Sequence, residues 1–164
     1  MVSPVNEQTY LSHSPEETFA VGYGLGERLA AWPDATGRVV LLSGELGSGK
    51  TQFVKGLAAA LGLDPAEVTS PTFALVQAHA FPGGTLWHVD LYRLPTGPGA
   101  AEAIALAELL EQAGIIAMEW PERLGPDLPL LVADEGRTWW VQLDELEDGI
   151  RRITIHQPAP HPAD

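Results

Sequence analysis

At 164 residues and 45% hydrophobic, the chain can bury one sizeable core, and a second full domain would be cramped. It has no cysteine, which excludes disulfides, thiolate metal sites and thiolate nucleophiles. A formal net charge of −13 argues against a protein that holds nucleic acid by neutralising phosphates, so a partner is expected to hold any polymer; simple solubility explains the same charge equally well.

In chain order, the first stretch, MVSPVNEQTYLSHSPEE, lacks a basic start and an apolar signal core. No later segment approaches about 18 uninterrupted apolar residues, so neither secretion nor a membrane span is expected, and a cytoplasmic location fits. Gln8 to Ser12 reads as a short strand. Ser14-Pro15-Glu16-Glu17 reads as a capping box, with Ser14 at N-cap, proline at N1 and Glu17 at N3. The helix it opens runs to about Trp32, where Pro33-Asp34 stops it. Its stripe of Phe19, Gly22, Gly26 and Leu29 puts glycines where close packing needs them, a structural role with no chemistry attached.

The stretch from Val39 to Leu61 reads as a buried strand, a glycine loop and a helix in unbroken succession. Val39-Val40-Leu41-Leu42 suits a strand covered on both faces. The loop that leaves it, Gly44-Glu45-Leu46-Gly47-Ser48-Gly49-Lys50-Thr51, has the spacing GxxxxGKT, which wraps a phosphate in backbone N–H groups. The helix starts at Lys50-Thr51, so its partial positive charge points at the anion. Lys50 can reach the β- and γ-phosphates, and the Thr51 hydroxyl can ligand Mg²⁺. The bland alternative is a glycine-rich turn before an ordinary helix. It is disfavoured because one of only two lysines, Lys50 and Lys55, falls where a phosphate-binding lysine must be. Phe53, Leu57 and Leu61, with Val54 and Ala58, form the helix's apolar face, and Gly62 suits its end.

Val68-Thr69-Ser70-Pro71-Thr72-Phe73 follows, read either as a turn before a strand or as a loop whose hydroxyls meet a phosphate or complete a Mg²⁺ shell. Phe73–Phe81 and Thr85–Asp90 read as strands joined by Pro82-Gly83-Gly84, a hairpin signal. The two-residue period places His88, Asp90 and Tyr92 on one face. Asp90, at the end of an apolar strand, is a candidate Mg²⁺ partner or a turn cap, and a satisfied strand histidine is one reading open for His88. Pro95 to Ala100 is a linker, and Ala101 to Gln112 is helical by propensity, ending at Gly114. Ile115-Ile116-Ala117-Met118 is a short buried strand finished by Glu119; many buried strands end in an acid by chance, but the phosphate loop favours a carboxylate aimed at the metal or its water. Trp120 can stack on a base or simply pack. Leu130–Ala133, Thr138–Leu143 and Arg151–His156 alternate between turn signals and read as an antiparallel extension of the sheet. Residues 1–156 are expected to form one domain, and 157–164 a disordered tail.

GELGSGKT, TSPTFALVQ, HVDLYRL and AMEWPERL, in this order and at these intervals, resemble the TsaE family, also called YjeE. These are small bacterial P-loop ATPases of tRNA threonylcarbamoyladenosine modification. The resemblance spans roughly Gln8 to His156. It implies an α/β fold of the P-loop NTPase type: three layers, with a mixed, largely parallel central sheet and an antiparallel extension. It implies ATP and Mg²⁺ as cofactors, with nucleotide held by Glu45, Leu46, Gly47, Ser48, Gly49, Lys50, Thr51, Gln52, Thr69 and Trp120. Ser70 and Thr72 would share the nucleotide-sensing loop with Thr69. Thr51, Asp90 and Glu119 would serve the metal, and Lys50, Asp90 and Glu119 the chemistry. The implied role is an accessory ATPase acting on a TsaD–TsaB complex, without direct tRNA binding and without a membrane. Gln52 departs from the second threonine that many members carry, which bears on the α-phosphate contact and not on the metal.

The expected reaction is hydrolysis of ATP by water, driven by positioning and electrostatics, with either Asp90 or Glu119 orienting the water. No arginine stands in an obvious finger position; Arg93 and Arg123 are candidates, so hydrolysis alone is expected to be slow. Two other readings use the same loop: a small-molecule kinase, disfavoured by scattered arginines, and a nucleotide-gated binding module with negligible turnover. A GTPase is disfavoured because no NKxD element exists; the one asparagine is Asn6.

Overall fold

The structure is a computed structural model and describes residues 6–32, 37–45, 47–69, 75–94, 99, 102, 104–112, 114–128 and 137–157. Strand β1 (Asn6–Ser12) leads into helix α1 (Pro15–Ala30). Strand β2 (Arg38–Ser43), helix α2 (Lys50–Ala60), strand β3 (Val76–Phe81) and strand β4 (Gly84–Asp90) follow. Helix α3 (Leu106–Glu111), strand β5 (Gly114–Glu119), strand β6 (Thr138–Glu145) and strand β7 (Arg151–Gln157) complete the described elements.

The strands form one seven-stranded sheet in the order β1-β7-β6-β2-β5-β4-β3. Strands β6, β2, β5 and β4 run parallel, and β3, β7 and β1 are added antiparallel. Strand β2 is buried along its whole length because alternate residues feed opposite layers. Val40 and Leu42 join Leu25, Leu29, Phe53 and Leu57 beneath α1 and α2. Val39 and Leu41 join Leu106, Leu109, Ile116 and Met118 on the other face. This is the α/β, three-layer arrangement expected of a phosphate-loop protein.

One expectation is corrected at β6. Thr138–Leu143 was expected to open an antiparallel extension, yet β6 pairs parallel with β2, from Val39 opposite Thr138 to Ser43 opposite Gln142. Alternation fixes which face of a strand is buried and says nothing about its direction. Trp139, Val141 and Leu143 fill the α1–α2 side in either sense. The antiparallel extension begins one strand later, with β7. The stretch Ala101–Gln112 is also not one helix: Ala105 takes left-handed backbone (φ 52°, ψ 49°), and α3 starts at Leu106. Burial of Ile104, Leu106 and Leu109 in the second core layer outweighs the helix propensity of the run. Pro82-Gly83 alone forms the hairpin turn, since Gly84 pairs with Phe81. Phe73 and Ala74, Leu130–Ala133, the linker 95–98 and the tail beyond Gln157 lie outside the described residues.

The glycine stripe of α1 has a specific partner. A Cβ on Gly22 would lie 2.1 Å from the Phe53 carbonyl oxygen, and one on Gly26 would lie 2.6 Å from the Leu57 oxygen. Gly56 reciprocates, with its hypothetical Cβ 2.0 Å from the Phe19 oxygen. The two helices therefore meet backbone to backbone, and α1 fixes the helix that carries the phosphate loop. At the start of α1, Ser14 Oγ accepts from Glu17 N at 3.1 Å as expected. The reciprocal bond of a capping box is displaced by one residue: Glu17 Oε2 accepts from His13 N at 2.6 Å rather than from Ser14 N. That backbone donor, helped by the His13 ring, holds the Glu17 carboxyl below the usual glutamate range.

Candidate functional site

The parallel strands all end at one edge of the sheet, where β7 begins. Leu42 of β2 and Asp90 of β4 both sit opposite Glu119 of β5, so three strand ends meet there. The glycine loop leaves β2 over this edge. Gly47 and Gly49 take φ values of 77° and 104°, a region that side-chain-bearing residues avoid. Gly49 is the N-cap of α2, and no side chain caps that helix. Its first backbone N–H groups are the donors that a phosphate would use. Ser48 Oγ is buried and without a hydrogen-bond partner inside the same loop.

Lys50 is buried at the first position of α2, and its Nζ donates to the carbonyls of Gly44 at 2.5 Å and Glu45 at 3.1 Å. The ammonium also lies 4.2 Å from the centre of the Trp120 ring. Burial pushes its pKa below the usual lysine range, while Glu119, Glu122, Asp90 and Glu45 pull it back up. Trp120 reaches this place because its own backbone is left-handed (φ 61°, ψ 49°), which turns the chain out of β5. Tyr92 packs on its ring at 5.0 Å between centroids, and the Arg123 guanidinium lies 5.8 Å from each of the two rings.

Glu119 is buried at the end of β5, as its strand position predicts. Thr51 Oγ1 lies 3.3 and 3.2 Å from its two carboxylate oxygens. His88 Nε2 holds Glu119 Oε2 at 2.6 Å, with both side chains buried. The histidine is therefore more than a packed strand residue, because it fixes the rotamer of the acid. A hydroxyl beside one carboxylate is a hard-oxygen pair that suits Mg²⁺, an ion that keeps water and phosphate oxygens for its remaining ligands. Among the described residues no group of three or more His, Asp or Glu side chains forms a protein-only metal cage. Together with the uncapped helix and the orphaned Ser48 hydroxyl, this donor set fits Mg²⁺ held jointly with a nucleotide.

Asp90 stands next to Glu119 in register, and its Oδ1 accepts from Tyr92 N at 2.9 Å. The turn-capping alternative is thus physically present, whatever else this carboxylate does. Tyr92 does not continue the face of His88 and Asp90, because β4 ends at Asp90 and Tyr92 lies in the turn. Gln52 is half-buried in the first turn of α2, Glu45 is exposed in the loop, and Thr69 is exposed. Leu46, Ser70 and Thr72 lie outside the described residues. Of the candidate arginines, Arg123 is drawn to the aromatic pair beside Lys50, and Arg93 is exposed in the turn after Leu91.

Two contacts escaped the sequence reading. Ser43 Oγ donates to Glu122 Oε2 at 3.4 Å, which brings a second glutamate to the end of β2; the spacing after Glu119 was its only signal. Arg151 Nη2 donates to the Gly47 carbonyl at 2.9 Å, and no local pattern in RRITI marks that arginine.

The model of the family "Threonylcarbamoyl adenosine biosynthesis protein TsaE" matches residues 12–153. A Treponema pallidum protein described as tRNA threonylcarbamoyladenosine biosynthesis protein TsaE is 37% identical over 145 residues, 88% of this chain and 97% of its own. An Aquifex aeolicus protein of the same description is 39% identical over 136 residues, 82% of this chain and 88% of its own. The crystal structure of Bacillus subtilis YdiB superposes with a TM-score of 0.68 at 26% identity, covering 96% of this chain and 90% of that one. The family match spans the sheet from the last residue of β1 into β7, and with it the whole of the edge described above. The chain belongs to the TsaE family of threonylcarbamoyladenosine biosynthesis proteins.

Proposed function

We propose that this protein is a Mg²⁺-dependent ATPase that assists the N6-threonylcarbamoyladenosine modification of tRNA by acting on a TsaD–TsaB complex in the cytoplasm. The observation that carries the reading is the placement of the Glu119 carboxylate on the Thr51 hydroxyl, at the mouth of a glycine loop whose helix is uncapped. Bound Mg-ATP would supply the transferable phosphoryl group and a cation beside it. The chain's own residues supply the rest. Lys50 and the loop amides bind the phosphates, with the lysine released from the Gly44 and Glu45 carbonyls. Thr51 and Glu119 would hold the cation, and Glu119 or Asp90 would orient the attacking water. His88 keeps the Glu119 carboxylate in place. Trp120, in contact with both Lys50 and Tyr92, would lie beside the nucleotide.

Of the two candidate fingers, Arg123 lies against the Tyr92 and Trp120 rings and Arg93 is exposed in the turn after Leu91, which supports slow turnover by the protein alone. The chain's acidity, at −13, supports a protein partner rather than direct contact with tRNA. The test is phosphate release from Mg-ATP by the protein alone and with purified TsaD and TsaB, with Lys50→Ala and Glu119→Ala as controls. Stimulation by the pair, lost in both variants, supports the reading. Nucleotide binding without release, with or without the pair, would overturn the hydrolytic part and leave a nucleotide-gated binding module.

A further inference from the structure

We propose that Arg151 is a positioning residue that holds the phosphate loop in its anion-binding shape before nucleotide arrives; the inference rests on the nucleotide-binding reading above. Strand β7 runs against the parallel strands, so its first residue lands at the edge where they end. From there Arg151 Nη2 donates to the Gly47 carbonyl at 2.9 Å. Its side chain passes Gly49 on the way, with Cδ and Nε 3.6 and 3.7 Å from where a Cβ on that glycine would lie. One guanidinium thus spans the second half of the loop from outside.

The physical effect follows from the planar trans peptide. Holding the Gly47 carbonyl outward turns the Ser48 N–H the opposite way, where it donates to the Glu45 carbonyl at 3.1 Å. The Gly47–Ser48 peptide is therefore pinned at both ends. A loop with glycines at 44, 47 and 49 has many other conformations open to it, and each one populated in the free protein weakens binding. The Arg151 Nε–H is shut off from solvent without a hydrogen-bond partner, so burial against the loop has a cost that the guanidinium's other contacts must offset. The neighbouring Arg152 makes only a surface pair with Asp144 at 3.4 Å, and so serves as an internal control.

The experiment compares the unaltered protein with Arg151→Ala, Arg151→Lys, Arg152→Ala and Lys50→Ala. Calorimetric titration with Mg-ADP is read beside amide hydrogen exchange of the nucleotide-free protein. Arg151→Ala is expected to weaken Mg-ADP binding about five- to tenfold and to speed exchange in the segment 44–50. Arg151→Lys, which keeps a cation without the fork, should fall between, and Arg152→Ala should match the unaltered protein. Affinity unchanged in Arg151→Ala while Lys50→Ala loses binding would overturn the inference alone. Faster exchange spread through β7 and β1, with affinity unchanged in both Arg151 variants, would likewise reduce Arg151 to a strand residue. Full Mg-ADP affinity in Lys50→Ala would remove the nucleotide reading itself, and this inference with it.

Discussion

His88 and Glu119 meet at 2.6 Å, ring nitrogen to carboxylate oxygen, with both side chains buried. The contact joins β4 to β5 and aims the acid at Thr51. Replacing His88 by Ala removes the ring and leaves the buried Glu119 Oε2 with only the longer contact to the Thr51 hydroxyl, at 3.2 Å. Stability should fall by about 2–3 kcal/mol in urea unfolding. Phosphate release should fall about tenfold as the carboxylate loses its fixed rotamer. Unchanged turnover in a destabilised variant would make the pair purely structural.

Glu119→Gln keeps the shape of the side chain and removes its charge. Binding of Mg-ATP is expected to survive within a fewfold, because Lys50 and the loop amides are untouched. Hydrolysis should drop about 100-fold, since both cation placement and water orientation draw on the carboxylate. Single-turnover phosphate release measures the chemical step directly.

Asp90→Asn separates the two roles open to that residue. The amide oxygen can still accept from Tyr92 N, so the turn cap remains. Mg²⁺-dependent release should nevertheless fall about tenfold. Full activity in Asp90→Asn would confine this residue to the turn.

Two glycines on the same helix predict opposite outcomes. Gly22→Ala forces a methyl into the Phe53 carbonyl and should cost about 3 kcal/mol or more. Gly24 has nothing within 4 Å of its would-be Cβ, so Gly24→Ala should stabilise the fold by about 0.5–1 kcal/mol. Chemical denaturation of the pair checks both signs at once.

Burial holds the His79 pKa below its ordinary 6.5, the nearby His88 adds to that, and Glu67 opposes it. Its Nε2 is buried and lacks a hydrogen-bond partner. Above about pH 6.5 the ring is neutral in both states, and its contribution is complete. As pH falls below that value the unfolded chain takes up the proton first, so stability declines until the folded pKa is passed. His79→Gln should flatten the fall in stability as pH drops below about 6.5, relative to the unaltered protein. Parallel slopes for the two proteins would show that His79 titrates alike in both states.

The parts legible in the sequence were those with a short-range signature. The loop glycines, Lys50, the Ser14 cap and the buried run of β2 each declare themselves within a few residues, and the structure has each of them. The place of Glu119 was legible because a run of four apolar residues closed by an acid declares a buried strand and its end, although many such strands end in an acid by chance. The parts that were not legible depend on which strands become neighbours. The direction of β6 relative to β2 is set by tertiary packing, and RRITI carries nothing to show that its first arginine will face the loop some hundred positions earlier. The pairing of His88 with Glu119 likewise exists only because β4 and β5 lie side by side in one register. Where local preference was strong but packing disagreed, at Ala105, packing prevailed.

Strand β1 covers the outer edge of β7 from Asn6 opposite Gln157 to Ser12 opposite Arg151. A version of the protein that began at Ser14 would leave the ladder groups of β7 open to any second strand. Two such molecules could then zip edge to edge, and the strand that carries Arg151 would be recruited into the seam. Strand β1 is itself the edge strand on this side, so trimming it would change which residues form the edge: the strand that carries Arg151 would stand there in its place.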